Sequence, residues 1–351
     1  MASSATSYLT HLVEGLQGQY GTVGLYAAVQ RLFVGFGFVG GPGSCVIDAP
    51  FGKFGTWKRF AVHGDIGWML MEIVSPLAFL YGLSLPLNTS SSSFLSFAPF
   101  RIVSAFRALP LARQVLAGAY LVHYANRSVI SSIRNPGRAR MNIIIPLLSA
   151  LFNLANGGTI GVWLAGGIPQ TGQAVAKSGL RDAGWAKPLF FLGAVMWAAG
   201  LCSNIYHDEV LYNIKREKQA KEKKGKGKES SSPKDRYSIP QGGLYRFVSH
   251  PSYSSEWFEW LGFLFATFAL APGPVPPTPV SSLIPSLSLK ALPSPLKPLK
   301  GWYLQPPALF LWQEIGAMLP RARSGHAWYR KTFGKEWEEK GAKWIVFPGV
   351  Y

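Results

Sequence analysis

The segment Ile66–Ser84 reads IGWMLMEIVSPLAFLYGLS, an apolar run broken by one carboxyl, Glu72. At about 1.5 Å per helical residue it is long enough to cross most of a bilayer core of roughly 30 Å. A charge inside such a span costs at least about 2.5–3.5 kcal/mol. Glu72 must therefore either keep its proton or pair inside a bundle of helices. A lone amphipathic segment offers neither partner, so this stretch predicts an all-α, polytopic membrane bundle.

Six further segments fit the same description: Thr22–Gly40, Ile102–Tyr124, Asn142–Gly166, Pro188–Tyr206, Trp257–Ala271 and Trp302–Leu319. Together they predict about seven transmembrane helices. Arg31 interrupts Thr22–Gly40, and Arg107 and Arg113 interrupt Ile102–Tyr124. Composition agrees: 48% of the chain is hydrophobic, 14% is aromatic and only 15% is charged, against about 25% charged in soluble domains. The whole chain, 1–351, is expected to form one integral-membrane domain.

The net charge of +18 is unevenly placed. Arg127, Arg134, Arg138 and Arg140 follow the third segment, a Lys-rich insert (217–236) follows the fifth, and Arg321 to Lys340 follow the last. In an alternating path these three regions share one side, which the positive-inside tendency makes cytosolic. The C-terminus is then cytosolic and the N-terminus luminal. Nucleic-acid binding is one reading of a basic chain; this pattern favours a cytosolic loop at a bilayer, with no nucleic acid as the expected partner. The Pro- and Ser-rich stretch 272–300 reads as a luminal loop. Asn88–Thr89–Ser90 would be a luminal glycosylation triplet, whereas Asn126–Arg127–Ser128 would face the cytosol. Lys218–Glu229, nearly free of apolar residues, is expected to be disordered.

Met1–Gln19 has no cleavable signal pattern. Cys45 and Cys202 are too few for a metal or disulfide framework, and Cys202 is expected as a packing residue. Gly35–Gly40 matches GxGxxG, but the dinucleotide fingerprint needs a strand before it, a helix after it and an acidic residue about 20 positions on within a βαβ unit, and this stretch follows an apolar helical run. It is expected to close an apolar helix rather than hold a dinucleotide.

Polar groups beside the apolar segments carry the chemistry. Glu72, kept neutral, would donate a hydrogen bond to a carbonyl; an interhelical hydrogen bond is the alternative. His123–Tyr124 ends the third segment, where a phenol can offer its proton to a ligand oxygen and nearby arginines suit phosphate. An interfacial aromatic is the competing account. Asn204, Asp208 and Lys215 share a helix face, apt for an amide or ribose hydroxyls, or simply a polar helix end. Glu256, Glu259 and Trp260 form another face after an expected kink at Pro251.

Taken in order, these pieces resemble the steroid 5α-reductase family of membrane reductases. The resemblance runs from about Pro50 to Tyr351. It includes Pro50–Lys53, the Glu72 segment, His123–Arg127, Asn135–Arg138, Asn156–Gly157, Asn204–Asp208, Tyr237–Gly243, Trp328–Tyr329 and the Val346–Pro348 tail. Residues 185–351 correspond to the family's C-terminal reductase region. The resemblance implies an endoplasmic reticulum membrane enzyme that uses NADPH to reduce the C=C bond of a lipophilic enone, most readily a 3-oxo-Δ4 steroid. Glu72 and Tyr124 match the pair that holds the substrate carbonyl. Arg138, Asn204, Asp208, Lys215, Tyr237, Arg321, His326 and Tyr329 match cofactor contacts, with Lys215 in place of an arginine. Ser252 stands where the family usually has Asn. Reduction of trans-2-enoyl thioesters or polyprenols, a membrane methyltransferase, and a non-catalytic membrane scaffold are the competing functions. The sequence sets no oligomeric state.

Overall fold

The computed structural model describes residues 24, 26–38, 40, 42–43, 45, 60–85, 99–166, 179–223, 237–271 and 302–350. Pro50–Lys53, the Asn88 triplet and the stretches 224–236 and 272–300 lie outside the described residues. Helices dominate. A first helix, α1, appears within 24–45. The chain continues through β1 (Ala61–Val62), α2 (Gly64–Ser84), α3 (Pro99–Ala108), α4 (Leu111–Tyr124), a π-turn (Ala125–Ile130) and α5 (Ser131–Arg134). After β2 (Met141–Asn142) come α6 (Ile144–Leu164), α7 (Ala186–Lys223), α8 (Pro251–Phe268), α9 (Pro306–Phe333) and α10 (Lys335–Lys340). The strands form one short antiparallel pair, Ala61 opposite Asn142 and Val62 opposite Met141.

Among the described residues, three helices are long and apolar enough to cross a bilayer: α2, α6 and α7. The chain is a membrane protein. The segment expected as one span, Ile102–Tyr124, is two helices, α3 and α4, separated at Leu109–Pro110. Pro110 supplies no backbone N–H and clashes with the preceding turn, so it caps a new helix rather than continuing the old one. Pro251 likewise opens α8 at its first turn and does not kink it. Gly35–Gly40 lies within α1, whose helical residues extend to Cys45, and so does not close the helix.

Lys218–Lys223, expected to be disordered, prolongs α7. Lys, Gln, Ala and Glu are good helix formers, and extending an anchored helix avoids the cost of nucleation.

Glycines set the two closest helix crossings. A Cβ on Gly157 would strike the Ser75 carbonyl and one on Gly161 the Phe79 carbonyl, so α6 lies directly on the backbone of α2. Gly193 and Gly200 of α7 and Gly262 of α8 do the same for that pair. Small residues four apart let helix backbones approach closely in a membrane, where lipid supplies no hydrophobic drive. This packing turns Cys202 to the exposed side of α7, so it is not a packing residue. The aromatic core lies between the two pairs: Phe79 stacks on Tyr120 at 4.4 Å, and Trp260 meets Phe310 edge-on at 4.6 Å.

Arg113, 1% exposed, explains how a cation sits in an apolar segment. It donates to the carbonyl of Leu164 (2.9 Å), at the end of α6, and to that of Ala271 (3.3 Å) beyond α8. Helix C-terminal carbonyls lack intrahelical donors and favour positive charge.

Candidate functional site

The α2–α6 crossing sets the first half of the site. Asn153 and Asn156, three apart on one face of α6, point at α2 and α4. Asn153 donates to the Met71 carbonyl (2.8 Å) and reaches Glu72 Oε2 (3.5 Å). Asn156 Nδ2 donates to the hydroxyls of Tyr124 (3.1 Å) and Tyr120 (3.3 Å). Tyr120 OH also shares a 2.7 Å hydrogen bond with Ser75 Oγ. Glu72 and Tyr124, 6% and 2% exposed, thus belong to one buried polar cluster joined through α6.

The second half comes from the α7–α8 pair. Arg127, in the π-turn after α4, reaches Glu72 Oε1 through Nε (3.3 Å) and Glu256 Oε2 through Nη1 (3.0 Å). Asn204 donates to the same Glu256 oxygen at 3.3 Å. His123 Nδ1 lies 2.7 Å from Glu259 Oε1, and its Nε2 lies 3.8 Å from Glu256. Arg127 was expected to suit phosphate; its partners are carboxylates, because α2 and α8 both present acids to the end of α4. Trp68 covers this end of the site, with the Arg127 and Arg138 guanidinium groups 5.1 and 4.7 Å from its ring centre.

The expected cofactor residues fall into two groups around this cluster. In one, Asp208 accepts from Ser252 Oγ at 2.8 Å, one helical turn beyond Asn204. Arg138 pairs with Asp65 (3.1 Å), and Lys215 donates to the Gly137 carbonyl, so both gather at the Asn135–Gly137 turn. In the other group, Tyr237 meets Trp328 edge-on at 4.9 Å, Tyr329 stacks on Trp337 at 4.9 Å, and His326 Nδ1 lies 3.0 Å from Ser249 Oγ. Burial, with Tyr237 nearby, pushes the Tyr329 phenol up to about 12, so it stays neutral at physiological pH. Arg321 bonds Tyr253 on α8. A cleft of about 400 Å³ opens between α7 and the 238–241 stretch, lined by Asn213, Glu217, Lys218, Ser238 and Gln241 and by none of the expected cofactor residues.

Several members of the cluster are not singled out by the sequence reading. Glu314 on α9 lies in electrostatic range of Glu256, Arg127 and Glu72. It is a lone acid in an apolar segment, the signal that marks Glu72. Asp65, Ser75, Tyr120 and Asn153 carry no such signal, since polar groups of these types are common in helices.

The 3-oxo-5-alpha-steroid 4-dehydrogenase family profile matches residues 139–272. An uncharacterized protein, C9.08c of Schizosaccharomyces pombe, is 32% identical over 84% of this chain and 89% of its own length. The chain belongs to the steroid 5α-reductase family. The steroid 5-alpha-reductase DET2 of Solanum lycopersicum is 25% identical over 86% of this reductase and 88% of its own length. The 3-oxo-5-alpha-steroid 4-dehydrogenase 1 of Rattus norvegicus is 24% identical over 64% and 71%. The protein is accordingly an oxidoreductase of this membrane family.

Proposed function

We propose that the protein reduces the C=C bond of a lipophilic enone, a 3-oxo-Δ4 steroid first among them, at the expense of NADPH. The supporting observation is that Glu72 and Tyr124 are buried in one polar cluster inside an apolar bundle. An enone carbonyl gains negative charge as its β-carbon is reduced. Preorganised donors aimed at such an oxygen contribute about 2.7–4 kcal/mol each where water is excluded. Tyr124 supplies one donor, and Glu72 supplies the other once it takes a proton in place of its ion pair with Arg127. One guanidinium, Arg127, faces Glu72, Glu256 and Glu314. The cluster therefore has room for a proton as well as for an ion pair.

The donor set around this cluster fits a phosphorylated dinucleotide. Arg138, Lys215 and Arg321 are cations for phosphate, while Asn204, Asp208 and Ser252 suit ribose hydroxyls or a carboxamide. Tyr237, His326 and Tyr329 add aromatic and polar surface. When bound, NADPH supplies the hydride. The bundle's own part is to orient the carbonyl, exclude water and hold the proton at Glu72 or Tyr124. The basic ends of α7 and α9 belong on the cytosolic face of an endoplasmic reticulum membrane, with the apolar substrate arriving from the lipid.

The test is reconstitution of the full chain in nanodiscs with NADPH and separate pools of 4-en-3-one steroids, trans-2-enoyl thioesters and polyprenols. A steroid product two hydrogens heavier is expected. NADPH consumption confined to the thioester or polyprenol pool would overturn the steroid assignment, and none with any pool would overturn the reductase mechanism.

A further inference from the structure

We infer that Asn156 is the positioning residue of this site, acting on substrate through the Tyr124 hydroxyl. The inference rests on the proposal that Tyr124 donates to the substrate carbonyl.

A phenol has one proton to give and lone pairs to receive. The two amide hydrogens of Asn156 are matched by two phenol oxygens, Tyr124 at 3.1 Å and Tyr120 at 3.3 Å. Each hydroxyl therefore receives from the same amide and must send its own proton elsewhere. Tyr120 has Ser75 Oγ at 2.7 Å to share it with. The amide nitrogen cannot take the Tyr124 proton, which rests among the neighbouring hydroxyls of Ser75 and Tyr120 until a substrate carbonyl, a stronger acceptor as charge develops on it, takes their place.

The opposite orientation of the amide would defeat this arrangement. Asn156 Oδ1 would then draw the proton of Tyr124, and the phenol would meet a carbonyl with lone pairs. It would also leave a buried NH2 group facing no acceptor, whereas the orientation found leaves only a carbonyl oxygen open. Orphaned buried N–H groups are the rarer and costlier defect. That open Oδ1, on a residue with 0% exposure, has no hydrogen-bond partner among the described residues. A buried acceptor left open beside two phenols marks the side from which a ligand or water approaches.

The backbone explains why this geometry holds. Gly157, the next residue, presses α6 onto the Ser75 carbonyl. The Asn156 side chain is thereby fixed in height against Ser75 and Tyr120, and so against Tyr124. Asn153, one turn earlier, does the parallel task at Glu72. α6 is in this sense the template for the carbonyl-binding pair, although neither asparagine need touch the substrate.

The experiment is a double-mutant cycle on the full chain in nanodiscs, with NADPH and a 4-en-3-one steroid. Asn156→Leu should lower kcat about 10- to 100-fold, while KM for NADPH moves less than about 3-fold. In a Tyr124→Phe background the same substitution should cost less than about 3-fold, since the hydroxyl it directs is gone. Asn156→Asp, whose neutral carboxyl keeps one donor, should recover part of the loss. Should Asn156→Leu fail to fold, Asn156→Ser takes its place in the same cycle. Losses that multiply across the cycle would overturn the positioning role while leaving the reductase assignment intact. A wild-type protein inactive on every enone would overturn both.

Discussion

The guanidinium of Arg127 joins Glu256 across the bundle, with Nη1 3.0 Å from Oε2 and Glu256 2% exposed. It links the α2–α6 pair, through Glu72, to the α7–α8 pair. Removing one partner of a buried ion pair leaves an uncompensated charge, which costs about 3–5 kcal/mol. Arg127→Ala is expected to lower thermal stability in detergent by that order. Arg127→Lys, a point charge in place of a fork, should fall between. A melting temperature unchanged in Arg127→Ala would show that the link is not structural.

The proposed carbonyl-binding pair, Glu72 and Tyr124, gives a sharper prediction. Glu72→Gln and Tyr124→Phe should each reduce kcat about 10²- to 10³-fold, the range seen for loss of one oxyanion donor. NADPH binding, followed by fluorescence energy transfer from the protein's tryptophans, should persist in both. Loss of binding with unchanged kcat would move these residues from substrate to cofactor.

The α2–α6 crossing contains its own control. Gly157→Ala drives a methyl group into the Ser75 carbonyl, and overpacking of this kind typically costs about 1–3 kcal/mol. At Gly158, one residue on, a Cβ meets nothing within 4 Å. Gly158→Ala should be neutral or raise stability by roughly 0.5–1 kcal/mol, through helix propensity alone. Equal melting shifts for the two substitutions would contradict the packing described here.

These residues also show where the sequence was legible. Hydropathy finds α2, α6 and α7 because their apolar length exceeds what a soluble helix needs. It fuses α3 with α4, since averaging over a window passes across Pro110, whose effect is local. Glu72 stands out because a charge in lipid is costly, and Glu314 is visible by the same logic. Asn153 is not, because asparagine in a helix carries no comparable penalty to flag it, and Asn156 is marked only through the Asn156–Gly157 motif of the resemblance. Their hydrogen-bonding partners appear when Gly157 and Gly161 bring α2 alongside. Arg127 reads as one of several positive-inside charges until α8 places Glu256 opposite it. Charge identity is written in the chain; partnership is written in the crossings.

A last prediction concerns the turn that carries Tyr237 and Gly243. His207 Nδ1 lies 2.6 Å from the Ser203 carbonyl, which must accept from it, so Nδ1 carries the proton. The other nitrogen, Nε2, accepts the Leu244 N–H at 2.9 Å. Gly243, at φ +51°, lies so close to His207 that a Cβ there would strike the imidazole. The ring thus pins the loop to α7 one residue from Asp208. His207→Leu strands the Leu244 N–H and should cost about 1–3 kcal/mol. Because the loop carries Tyr237, NADPH affinity should weaken several-fold as well. His207→Gln, with a carbonyl able to accept the same N–H, should restore part of both. Isothermal titration with NADPH beside a thermal melt separates the two effects. If stability falls while affinity holds, the loop is a structural strap and Tyr237 is not a cofactor contact.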